Sequence, residues 1–298
     1  MKRKLVKQGT STMMISLPSK WIKANKLDKG SEVDVEENGS NIIISPEKEN
    51  VKSEIGIELK DLTESSIRTF ITNTYRMGYD KVNVKFQNPD QFRILKKVVE
   101  SRLLGFEIIK RDKGICIIEN ITEPSQEQFN SILQKIFLNI ETLFEITEKR
   151  FDNIKVEEDF EEVEEKIQQY DNFCRRVISK KKLIDDKSEF WWTFLTLLIH
   201  AQREIYLLNK TINKKVNISS KTKELLKDCS EVFSKLKEAY LKKELNAIST
   251  IHSKEKAIIY NKGYKMIENS KEAVILYHIL SSARQLYLCS SPLLGIIM

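Results

Sequence analysis

Lys2, Arg3, Lys4 and Lys7 crowd the start of the chain, and Ser19, Lys20 and Lys23 follow closely. Ammonium and guanidinium groups on a strand and its turn contact phosphates and, in part, base edges. Pro18 opens a short helical segment, so Ser19 offers a hydroxyl and the helix start offers free N–H groups. Lys20 and Lys23 lie three apart, on one helical face. Residues 1–29 carry eight bases against one acid, Asp28, whereas the rest of the chain carries 42 of each sign. The formal net charge of +7 therefore belongs entirely to the N-terminus. A compact positive patch on an otherwise neutral protein suits nucleic acid first and an anionic membrane second. A solvated lysine-rich start is the plain alternative.

A second group of candidate residues sits far downstream. Gln202-Arg203-Glu204-Ile205-Tyr206 and Ala283-Arg284-Gln285-Leu286-Tyr287 align at a spacing of 81 residues, with the arginines and tyrosines matching. Trp191, Phe194, Leu195, Leu198, Gln202, Ile205 and Tyr206 fall on one helical stripe. Gln202 and Tyr206 are thus expected to face a helical core, exchanging hydrogen bonds with each other or with Arg203. Glu204 lies off the stripe and reads as an exposed acid. His200, His252 and His278 show no HExxH spacing and read as ordinary helix residues. The acidic run from Glu157 to Glu165 reads as a solvated helix start. Lys180-Lys181-Lys182 suits the end of that same helix. Trp192 is a candidate surface residue beside a core Trp191.

Composition removes several classes of function. The chain has 298 residues, 41% hydrophobic and 31% charged, as expected of a globular protein of about two or three domains. Nine glycines, none closer than nine residues to the next, exclude a P-loop or a dinucleotide loop. The four cysteines are at least 55 residues apart, so a zinc finger is excluded and a disulfide framework is not expected. The longest strongly apolar stretch, Phe190 to Ile199, is about half a membrane span. No signal peptide is visible, and the cytoplasm is the expected location. No nucleophile elbow or metal-hydrolase motif is present, and no enzymatic activity is expected.

Three regions must position these residues. Residues 1–46 read as strand, strand, short helix and hairpin, with Asn38-Gly39 as the hairpin turn. So small a unit rarely supplies its own core and calls for a partner, most simply a second copy. After a polar linker, Pro46 to Asn50, residues 51–121 alternate in period as β-α-β-α-β-β, a small sheet with two helices. Residues 122–298 are helical throughout, in six segments near 124–152, 157–182, 188–215, 219–242, 244–268 and 271–291. The breaks are expected at Asp152-Asn153, Asp185-Asp186, Val216-Asn217, Lys242-Lys243 and Asn269-Ser270. The 81-residue repeat makes each aligned segment the third helix of a triplet, so two tandem three-helix units are expected.

Lys7-Gln8-Gly9, the strand from Thr12 to Leu17, Pro18-Ser19-Lys20-Trp21-Ile22 and Lys29-Gly30-Ser31-Glu32-Val33-Asp34-Val35 closely resemble the AbrB/MazE/SpoVT DNA-binding domain. Ser31-Glu32 replaces that family's usual acidic pair. The resemblance implies a swapped-hairpin homodimer that binds DNA. The helical region resembles the PhoU family, regulators of phosphate uptake. That family's third helices carry paired carboxylates that bind metal clusters. Here the arginines Arg203 and Arg284 are kept, but Gln202, Tyr206, Ala283 and Tyr287 stand at the carboxylate positions. Hard cations want anionic oxygen, so no metal and no other cofactor is expected. The combination is similar to archaeal phosphate uptake regulators. The expected whole is a multidomain α+β chain: a swapped-hairpin β domain, an α/β middle domain, and a PhoU-like pair of three-helix bundles. It implies a DNA-binding transcriptional regulator of phosphate uptake, partnered by DNA, by a second copy, and by a transport or sensor protein. Two other readings remain: a protein-interaction module that does not bind DNA, and a metal-binding PhoU-type protein.

Overall fold

The structure, a computed structural model, describes residues 2–38, 41–46, 53–60, 63–122, 125–180, 187–212, 217–268 and 270–298. Gly39, Glu47 to Asn50, Lys181-Lys182, Asp185-Asp186, Val216 and Asn269, all named above, lie outside these residues. The chain divides into two units, Met1–Lys52 and Ser53–Met298. A small N-terminal β region is followed by a mostly helical remainder.

In the first unit, β1 (Val6–Gln8) and β2 (Thr12–Met14) form one antiparallel pair. Gly9, at φ +72°, supplies the left-handed backbone their turn needs. The short helix α1 (Ser19–Ala24) follows Pro18. A second antiparallel pair, β3 (Val33–Asn38) with β4 (Asn41–Pro46), runs in register from Val33 opposite Pro46 to Asn38 opposite Asn41. The two pairs do not join into one sheet.

The second unit begins with β5 (Glu54–Glu58), α2 (Glu64–Arg76), β6 (Lys81–Lys85), α3 (Pro89–Arg102), β7 (Phe106–Asp112) and β8 (Ile115–Asn120). The sheet order is β5-β6-β8-β7, with β5 parallel to β6 and the other pairs antiparallel. Thr63 and Asn88 cap α2 and α3 through bonds from the Ser66 and Gln91 amides. Alternate residues Val82, Val84, Cys116 and Ile118 face Ile67, Ile71 and Leu95 in a small core.

The helices are α4 (Gln126–Phe151), α5 (Phe160–Ser179), α6 (Ser188–Thr211), α7 (Ser220–Lys242), α8 (Asn246–Lys256), α9 (Tyr264–Ile267) and α10 (Ala273–Ile297). A capping box, Ser125 with Gln128, opens α4. One continuous hydrophobic core runs from Phe129 to Leu293, and α6 packs most extensively on α10. The fifth predicted segment is not one α-helix. A π-helical stretch, Ala257–Gly263, joins α8 to α9. A Cβ at Gly263 would lie 2.8 Å from the Ile258 carbonyl oxygen and 2.4 Å from Leu280 Cδ2, so the backbone leaves no room for a side chain there. The last helix runs past the expected end at 291, carrying Pro292 inside it.

Within this second unit, α5 holds the sheet and its helices to the remaining helices. Arg176 is 1% exposed. Its guanidinium donates to the carbonyls of Tyr75 at 3.1 Å and Tyr79 at 2.7 Å, and to Asp80 Oδ1 at 2.5 Å. It also lies 4.7 Å from the centre of the Phe106 ring. Lys180 donates to the same Asp80 oxygen, and Ser53 Oγ bonds the other at 3.1 Å. Burial pushes the Asp80 carboxyl up, but Lys180, Arg176 and Ser53 outweigh it and hold it below its ordinary value. A lowered carboxyl stabilises the fold above its unfolded pKa and stops doing so as pH falls through the folded one. Asp80→Asn should therefore cost about 3 kcal/mol near neutral pH, because it leaves buried cations under-compensated. In urea melts the gap from the parent should narrow as pH drops below about 4.

Candidate nucleic-acid interface

Every described residue of the first unit is exposed or half-buried, and none is buried. Lys2, Arg3 and Lys4 precede β1, and Lys7 lies on it opposite Met13. Ser19, Lys20 and Lys23 lie on α1. All seven predicted contact residues are exposed. The Pro18 carbonyl accepts from the Trp21 and Ile22 amides at 2.9 and 3.1 Å, and the Ser19 hydroxyl makes no cap bond. After α1, Lys26 adopts φ +53° and Gly30 φ +94°. Between them the Asp28 amide donates to Ser31 Oγ at 2.9 Å. These turns carry the chain from α1 into β3. The strands are short, and the basic groups of this unit are free of competing carboxylates among the described residues. Such groups can engage a phosphate backbone without first breaking an ion pair.

The same unit exposes much apolar surface. Leu5, Val6, Met13, Met14 and Ile15 around the first hairpin, and Val35, Ile42 and Ile43 on the second, are between 43% and 67% exposed. Uncovered β-branched and thioether side chains of this extent belong against another surface.

The repeated helical positions form a different arrangement. Gln202 is 1% exposed, as its stripe requires, yet its amide oxygen and nitrogen find no hydrogen-bond partner among the described residues. The expected exchange with Tyr206 fails because Tyr206 packs elsewhere. Its ring meets Phe160 at 5.8 Å, and Arg203 lies over it at 4.7 Å. Ala283 is fully buried, and Arg284 lies over Tyr287 at 4.9 Å, reproducing the Arg203–Tyr206 geometry. Each of these arginines also meets a buried carboxylate from another helix, α5 for Arg203 and α8 for Arg284. Arg203 bonds Glu164, and Arg284 bonds Glu255 at 2.6 Å. Glu164 and Glu255 are 3% and 2% exposed.

The reading of Glu164 as part of a solvated run is thereby corrected, although Glu157, Glu158, Glu161 and Glu162 around it are exposed. Helical phase puts Glu164 inward, next to Val163 and three positions before Ile167, both in the core. Glu204 is corrected too. It is half-buried and lies 2.7 Å from His278 Nδ1, a bond that ties α6 to α10. Of the other histidines, His200 is exposed and His252 contacts Ser290 at 3.2 Å. Neither Glu164 nor Glu255 bears any mark in the sequence beyond its phase on an amphipathic helix. Among the described residues no three His, Cys, Asp or Glu side chains gather as a metal would require. All four cysteines are buried free thiols, and among the described residues no helix is long and apolar enough to cross a membrane.

Removing one member of such a pair leaves the other buried and uncompensated. Arg284→Met should lower stability by about 2 kcal/mol, and Glu255→Gln on top of it should recover most of the loss. A double-mutant cycle from denaturant melts reads this coupling directly.

Residues 6–52 match the family model described as antidote-toxin recognition MazE, bacterial antitoxin. The N-terminal unit therefore carries a domain of the MazE/AbrB antitoxin type. No curated protein and no solved structure matches the chain.

Proposed function

We propose that the chain is a DNA-binding transcriptional regulator of phosphate uptake or phosphate homeostasis. The observation that carries the DNA-binding part is the MazE-type match over residues 6–52, which overlaps residues 1–29, where eight bases stand against one acid. In this reading Lys2, Arg3, Lys4, Lys7, Lys20 and Lys23 neutralise phosphates and approach base edges, and Ser19 adds a hydroxyl contact. The phosphate part rests on the resemblance of residues 122–298 to the PhoU family. The repeated Arg–Tyr–Glu geometry at Arg203 and Arg284 supports a tandem origin for that region.

The chain acts as a homodimer in the cytoplasm. Two copies exchange hairpins, and the apolar faces around Val6, Met13, Val35 and Ile42 close against each other. A polyanion needs two such grips to be held in register. Residues 53–298 couple that grip to a transport or sensor protein.

Fluorescence anisotropy on DNA from upstream of the chain's own gene tests the first part. The full chain should bind with a logarithmic salt slope of about −0.9 per phosphate contact. Lys4→Gln and Lys20→Gln should each reduce that slope by about 1. Binding that is indifferent to salt, or retained after removal of residues 1–46, would reject the reading. The dimer is tested separately. Ile42→Glu should shift sedimentation from dimer to monomer and weaken DNA binding by at least about tenfold, since each half-site then binds alone.

A further inference from the structure

A cleft of about 650 Å³ opens between α2, α3, α5 and α6, all within the second unit. Five arginines line it: Arg68, Arg76, Arg102, Arg175 and Arg203. Four of them share two buried carboxylates. Arg76 and Arg175 hold Asp171, at 3.1 and 2.9 Å. Arg102 and Arg203 hold Glu164. Arg68 is exposed on the α2 wall and has no carboxylate partner among the described residues. Glu161 lines the same cleft, but its carboxylate is taken by Lys210. Five guanidinium groups thus face Glu164, Glu165 and Asp171, an excess of two positive charges.

Burial pushes both Arg76 and Arg102 below the ordinary guanidinium value. Asp171 counters this at Arg76, and Glu164 and Glu165 counter it at Arg102, while the adjoining guanidiniums, Arg175 and Arg102 on Arg76 and Arg68 and Arg203 on Arg102, add to the lowering. Structural ion pairing asks for no more guanidiniums than carboxylates. A fifth, unpartnered arginine at the rim of a cleft asks for an anion from outside. The planar fork of arginine matches the paired oxygens of a phosphoryl group.

We propose that this cleft binds a phosphate-bearing small molecule, its phosphoryl oxygens held by Arg68 and by the outward edges of Arg203 and Arg76. A ligand carrying two negative charges balances the site. The volume admits inorganic phosphate, pyrophosphate or a nucleotide. Every residue that lines it belongs to Ser53–Met298, whereas the proposed DNA contacts lie in Met1–Lys52.

Calorimetric titration of the full chain with inorganic phosphate, pyrophosphate and ATP, at about 0.15 M salt, tests it. The tightest of the three identifies the class. Saturable binding by at least one is expected. Arg68→Gln should weaken it by at least about tenfold, the loss of a bidentate charged contact, with the melting temperature of the unliganded chain unchanged. Lys20→Gln with Lys23→Gln should leave it unaltered. Absence of saturable binding by all three up to about 10 mM would overturn the proposal. So would a dissociation constant that Arg68→Gln does not change, or one that the two lysine substitutions abolish. DNA binding can fail while this site stands, and the converse also holds.

Discussion

Arg176 is the contact on which the second unit turns. A guanidinium with 1% exposure is tolerable only if its charge is met and its terminal donors are bonded. Asp80 takes Nη2 and meets the charge, and the carbonyls of Tyr75 and Tyr79 accept from Nη1. These partners come from the end of α2 and the entry to β6. The sheet and α2 are therefore fixed to α5 by one residue that cannot be satisfied unless both are in place. Asp171, Asn172 and Arg175, on the adjoining turn of α5, extend this arrangement by taking Arg76 and facing the arginine cleft. The polar line along α5 thus both joins the two parts and creates the charged space between them.

The first unit lives under the opposite constraint. It has no buried residue among those described, so its short hairpins cannot be stabilised by their own core. Its hydrophobic side chains are present in number but face outward. In the homodimer proposed above, its stability and its grip on a polyanion become properties of the assembly.

Much of this was legible because strand and helix periods are written in the apolar residues. Val82 and Val84, set between Lys81, Asn83 and Lys85, form β6, and Phe92, Leu95, Val98 and Val99 keep their helical phase in α3. The N-terminal domain was legible through its turn glycines, Pro18 and a distinctive strand, and residues 6–52 match the corresponding family model. What escaped notice was polar and long-range. Glu164 looks like its solvated neighbours until Arg203, 39 residues away, is brought to it. The arginine cleft draws on positions from 68 to 203, and no local spacing connects them. The π-helical stretch also left no periodic trace, since one surplus residue in a turn is invisible until Leu280 occupies the space beside Gly263.

That stretch has a consequence for how the chain tolerates change. A π turn holds more residues per turn than an α turn while keeping its axis. Ala257–Gly263 is therefore a place where chain length can differ by one without opening a loop. Removing a residue there would leave the ends of α8 and α9 roughly where they are. The surplus is absorbed within the turn, so the faces on either side keep their phase. Tyr260 and Tyr264, now exposed and meeting edge to face at 5.5 Å, would change spacing from four positions to three if the residue were lost between them. The segment is a place where the helix can gain or lose one residue locally without turning the helices that flank it.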